Sequence, residues 1–212
     1  ALILITITIL QGGCLKEFTN NPYPDVTASA DTIFGILKYK QTDINGTQIG
    51  AWRFGEAVIS AVSGGYEVIA SATVEGDGTF MLILPATVSG MYFTSLGEIA
   101  TQQGGTVKAI PETVKFLGTT QFKVDYTDGG KSKTMSVSLT TRNADLTVNR
   151  SYYYNFYDGD GTFAGTGSAG NAFNWTFKKG WGMAESYIIN TTTKAISSKT
   201  VNDAPANAVW CN

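Results

Sequence analysis

"QFKVDYTDGGKSKTMSVSLTT", residues 121–141, decides the fold. Phe122, Val124 and Tyr126 alternate with Gln121, Lys123 and Asp125, and after a break Met135, Val137 and Leu139 alternate with Ser and Thr. A period of two sends successive side chains to opposite faces, so each run predicts a half-buried antiparallel strand. Between them Thr127-Asp128-Gly129-Gly130 predicts a hairpin turn, because glycine supplies the positive φ that a short connection needs.

The same grammar extends in both directions. Downstream, DLTVNRSYYYNFY, NAFNWTFKKGW and ESYIINTTT are rich in the aromatic and β-branched residues that suit strands. Upstream, Ile33, Gly35, Leu37 and Tyr39 alternate with other residues. Ala57, Ile59 and Ala61 do the same in one further run, and Val68, Ala70 and Ala72 in the next. Glu75-Gly76-Asp77-Gly78 marks a turn before the strand Thr79 to Leu84, which Pro85 closes because proline cannot donate to a continuing ladder. Only YFTSLGEIATQQGG breaks the pattern: Leu96, Ile99 and Ala100 stand at near-helical spacing before a glycine ending, which predicts a helical turn or two. The expected fold is all-β, with two antiparallel β-sandwich-like domains in tandem over residues 27–97 and 104–212.

Composition excludes several functions. No histidine occurs in the 212 residues, so the usual proton shuttle near neutral pH and the commonest ligand of catalytic zinc are missing. The two cysteines, Cys14 and Cys211, cannot build a structural zinc site or a CxxC redox pair. A formal charge of -2 with scattered lysines and arginines argues against nucleic acid as a partner. Glu56, Glu67, Glu75, Glu98, Glu112 and Glu185 carry no local signature of a glycosidase acid pair. The chain is expected to be no enzyme and to use no cofactor.

Residues 1–13 begin ALILITITIL, an apolar run too short to span a bilayer as a helix and suited to the h-region of a signal peptide whose start would lie upstream. Gln11-Gly12-Gly13-Cys14 follows. That order resembles the lipobox of bacterial lipoproteins, with Gln11 standing where the family usually carries an apolar residue. The resemblance implies cleavage before Cys14, lipid attachment there, and a polar tether over residues 14–26. Cys14 is the lipid attachment point on this reading and a disulfide partner of Cys211 on the other. Leu15-Lys16-Glu17 is similar to the export signal of Bacteroidota-type surface lipoproteins, implying an outer-membrane or cell-surface location. Residues 31–96, with Gly35 in the opening strand and Asp77-Gly78-Thr79-Phe80 later, resemble the transthyretin-like or carboxypeptidase-regulatory-like β-sandwich modules of such lipoproteins. In those families the module is a structural or binding unit.

Together these readings predict a non-catalytic envelope lipoprotein for adhesion or ligand binding, held to the membrane by lipid, with extracellular polysaccharide or another envelope protein as partner. The alternative is a fibre subunit that keeps residues 1–13 and donates them as a strand to a neighbouring copy. Two candidate sites follow from the residues. Tyr153, Tyr157 and Trp181 are expected to form a surface patch for a glycan, since aromatic side chains offer flat apolar area with a polar handle. Asp158 and Asp160, in a glycine-rich turn, are a weak calcium candidate. The loop departs from the EF-hand pattern at Phe163 and Ala169, where glycine and glutamate are needed.

Overall fold

The computed structural model describes residues 25–43, 46–63, 67–118 and 120–212. The predicted signal run, Cys14 and the tether up to residue 24 lie outside the described residues. In chain order the strands are β1 (Val26–Thr27), β2 (Asp31–Asp43), β3 (Gly46–Ala51), β4 (Ala57–Val62), β5 (Val68–Val74), β6 (Thr79–Leu84), β7 (Thr87–Val88) and β8 (Thr94–Ser95). After α1 (Leu96–Gln103) come β9 (Lys108–Ile110), β10 (Lys115–Leu117), β11 (Gln121–Asp128), β12 (Lys131–Arg142) and β13 (Val148–Tyr157). The last are β14 (Gly161–Thr166), β15 (Ala172–Phe177), β16 (Gly180–Ile188), β17 (Ile196–Val201) and β18 (Val209–Cys211).

The quoted hairpin forms as read. Asp128 faces Lys131 across a two-residue connection, and Gly129 and Gly130 have φ of 59° and 75°. Both values are positive, as the favoured hairpin turn requires. The helix also forms: the Ser95 hydroxyl accepts from the Glu98 amide at 3.4 Å, half of a capping box, and Gly104 ends it with φ 63°.

Seven strands pair in a closed circuit, β4 to β5 to β6 to β2 to β18 to β12 to β11 and back to β4. Closure leaves these strands without a free edge over their paired lengths and turns one face of each inward. Ile33 and Leu37 of β2, Ile59 of β4, Phe80, Leu82 and Leu84 of β6, Phe122 and Val124 of β11 and Trp210 of β18 fill that interior. Gly35 is glycine for packing: a Cβ there would stand 2.5 Å from the Phe80 ring and 2.7 Å from Trp210.

Beyond β12 the sheet runs on through β13, β16, β17, β15, β14 and β9. It curls, because Tyr157 of β13 and Ala184 of β16 share a core with Phe163, Trp175 and Phe177 of β14 and β15. Leu96 and Ala100 of α1 close that core. The expected tandem of separate domains is replaced by one sixteen-stranded sheet. The boundary near residues 97–104 does not divide it, since β11, β12 and β18 complete a barrel begun by β2 and β4 to β6. Val26, assigned to the tether, belongs to β1 and pairs with Val88.

Candidate functional site

Tyr152, Tyr153, Tyr154, Phe156 and Tyr157 alternate across β13 as a strand dictates, but both faces are covered. Tyr152 and Tyr154 enter the barrel core, and Tyr153 and Tyr157 turn to the curled core. Tyr157 is 1% exposed and stacks on Phe177 at 4.1 Å with an interplanar angle of 5°. The Tyr153 hydroxyl lies 3.4 Å from the Ser198 hydroxyl. Trp181 is opposite Phe156 in the ladder and therefore on the face away from Tyr153 and Tyr157; its Nε1 donates to the Pro85 carbonyl at 2.8 Å. The structure does not bring Tyr153, Tyr157 and Trp181 together as a patch.

The acidic turn is engaged by protein groups. Asp160 accepts from Lys178 Nζ and from the Lys179 amide, each at 2.8 Å, and the lysine hydrogen bond first, then the amide, lowers its carboxyl pKa. Asp158 accepts from the Lys115 amide at 2.7 Å. Among the described residues no three His, Cys, Asp or Glu side chains converge to hold a metal. Cys211 is a free, buried thiol whose Sγ accepts from Arg142 Nη2 at 2.9 Å; Cys14 lies outside the described residues.

Hollows open both on the barrel, one of about 520 Å³ against Glu56, Asp125 and Lys133, and at the seam where the barrel gives way to the curl, beside the chain segment 202–208 that joins β17 to β18. Three hollows share Asp203. One, of about 360 Å³, is lined by Asp31, Tyr154, Lys178 and Trp181. A second, of about 540 Å³, is lined by Phe34, Tyr154, Met183 and Pro205. The third, of about 410 Å³, is lined by Arg150, Tyr152, Glu185, Lys199 and Asn207. Trp181 thus reaches the seam, with Tyr154 in place of the two expected tyrosines.

The third hollow is built by register. Thr141 of β12 faces Arg150 of β13, Tyr152 faces Glu185 of β16, and Glu185 faces Lys199 of β17, so one sheet face presents all five. Glu185 is 5% exposed, and its Oε1 accepts from Arg150 Nη1 at 2.6 Å and lies 3.2 Å from Lys199 Nζ. A buried carboxylate persists only with such partners. Arg150 is held in turn over the Tyr187 ring at 4.6 Å. The Ser198 hydroxyl donates to the Glu185 carbonyl at 3.1 Å and receives Trp175 Nε1 at 2.9 Å, which anchors the strand beneath. Burial, and after it the Glu185 charge, raises the Tyr152 pKa.

No family model, no curated protein and no solved structure matches this chain.

Proposed function

We propose that this chain is a non-catalytic binding protein of the bacterial cell envelope, tethered through a lipid on Cys14 and engaging an extended ligand along the seam. The observation that carries the binding half is the convergence of three hollows on Asp203, flanked by Tyr154 and Trp181 and walled by strands of a rigid sheet. The tether half rests on the order of apolar run, small residues and cysteine in residues 1–14. Extracellular polysaccharide fits adjoining hollows with aromatic and polar walls, and another envelope protein is the second candidate ligand.

Membrane fractionation of the natively expressed protein with Cys14 and with Cys14→Ser tests the tether. The native chain should partition into detergent, and the variant should move to the soluble fraction. Equal membrane retention of both would remove the lipid anchor from this reading.

A fibre subunit is the second reading, and β3 favours it. Among the described residues that strand pairs only with β2, leaving an edge on which a donated strand would add. Intact mass separates the two, since strand donation keeps residues 1–13 and lipid processing removes them.

A further inference from the structure

The first half of β2 is paired on one side only. Asp31 to Ile36 face β6, whereas β18, the neighbour on the other side, reaches only Leu37 and Lys38 among the described residues. The Leu37 amide donates to the Gly78 carbonyl at 2.8 Å, on the β6 side, and the Lys40 amide donates to Asn212 Oδ1 at 2.7 Å, on the β18 side. Alternate residues of a strand turn their backbone groups to opposite neighbours, so Thr32, Phe34 and Ile36 turn theirs to the side that β18 does not reach. Asp31 Oδ1 takes the Thr32 amide at 2.8 Å, which leaves Phe34 in the middle of an open edge. The hollow of about 540 Å³ runs along this edge, for every residue from Thr32 to Ile36 lines it. Successive side chains of a strand point to opposite faces, so five in a row share one hollow only where it follows the backbone. Leu139, Met183, Ala204 and Ala208 contribute apolar wall, and Lys38 and Asp203 are its only charges among the described residues. Phe34 is 71% exposed and Ile36 55%. An unpaired edge beside large exposed apolar side chains is a template for another strand.

We propose that this edge of β2 accepts residues 3–9 of a second copy of the chain as an added strand. The proposal deepens the fibre reading above and rests on it. Residues 3–9 lie outside the described residues, and their sequence has the required pattern: Ile3, Ile5, Ile7 and Ile9 alternate with Leu4, Thr6 and Thr8. Main-chain bonds to Phe34 hold such a strand, and its alternate side chains decide the fit. The isoleucines enter the hollow toward Tyr154 and Met183, and the threonines stay outward beside Phe34 and Ile36. The 15 residues from 10 to 24 join this segment to Asp25 and span up to about 50 Å when extended, enough to reach a neighbouring barrel. A segment folded back on its own barrel builds no fibre, so the occupant is the neighbour's. The edge of β3 is the weaker acceptor, because Gly46, Thr47, Gln48 and Gly50 give an added strand little apolar surface.

The test is sedimentation velocity in reducing buffer on the 212-residue chain, made with residues 1–13 retained and checked by intact mass. The unaltered chain should form assemblies that lengthen with concentration. Ile7→Lys, in the donated strand, and Phe34→Lys, at the accepting edge, should each stay monomeric, because a lysine on either partner blocks edge pairing. Mixed one to one, the two variants should form a dimer, since the first keeps an intact edge and the second an intact strand. That arm needs no folded barrel from Phe34→Lys, so it stays informative if the variant folds poorly. Val58→Lys, at an exposed apolar position on β4, should assemble as the unaltered chain does. Any of four results overturns the proposal: a monomeric unaltered chain, assembly by either single variant, no dimer from the mixture, or loss of assembly in Val58→Lys. Loss of assembly in Ile49→Lys of β3, with Phe34→Lys still assembling, sinks this site and leaves the fibre reading standing. Natively expressed protein that lacks residues 1–13 removes the fibre reading itself.

Discussion

The barrel and the curl solve the same problem, burying one face of a sheet, in different ways. The barrel closes by hydrogen bonding and needs strands from both ends of the chain: Trp210 and Cys211 of β18 pair with Leu37 and Lys38 of β2. The curl draws on residues 94–201 and relies on aromatic contacts, Tyr157 on Phe177 and Phe163 against Trp175 at 5.1 Å. Closure thus spends sequence distance, and curling spends large side chains. Where they meet, β12 passes from β11 to β13 along its length, and two of the three hollows take Leu139 or Thr141 of β12 into their walls. The site is a consequence of joining two unlike solutions in one sheet.

If the two regions are one cooperative unit, damage to either must destabilise both. Phe163→Ala in the curl and Phe122→Ala in the barrel, each removing a buried ring, should cost about 3–5 kcal/mol apiece. Urea unfolding of single-tryptophan variants keeping either Trp210 in the barrel or Trp175 in the curl checks this. Both probes should shift together in both mutants. A shift confined to the mutated region would break the comparison into two independent domains.

A smaller effect comes from pH, with one tyrosine in each region. Burial first, then the Asp31 and Asp203 charges, raises the pKa of Tyr154; burial raises that of Tyr157, opposed by its hydrogen bond from Asn155. Both hydroxyls stay neutral in the folded protein to higher pH than in the unfolded chain, whose tyrosines ionise near about 10. Their stabilisation is therefore complete below that pH and is lost as pH rises toward the folded-state values. The urea midpoint should fall between about pH 9 and about pH 11. Tyr154→Phe and Tyr157→Phe should each flatten that fall, and an unchanged slope in both would contradict the assigned cause.

Local structure was largely legible in the residues. The alternation of Phe122, Val124 and Tyr126, the two glycines of the hairpin and the near-helical spacing of Leu96, Ile99 and Ala100 each act over a few positions, and each appears as read. What escaped were pairings between distant segments. Nothing near Ala57–Val62 announces β11 as its neighbour, and nothing near Trp210 announces a place between β2 and β12. The site shared that blindness. Glu185 stood among six carboxylates without distinction, because its meaning lies in facing Tyr152 and Lys199 across two ladders. Tyr157 read as a surface residue because alternation gives the face of a side chain and not whether a second layer covers it.

The central claim is that one sheet, closed into a barrel by strands from beyond residue 120, replaces two tandem domains. Residues 27–97 produced alone test it most directly, because they hold β2 and β4 to β6 but lack β11, β12 and β18. With three of the seven barrel strands missing, the fragment should show a collapsed amide proton spectrum and no cooperative unfolding in urea. A dispersed spectrum with a sharp two-state transition would contradict the account and restore an autonomous N-terminal domain.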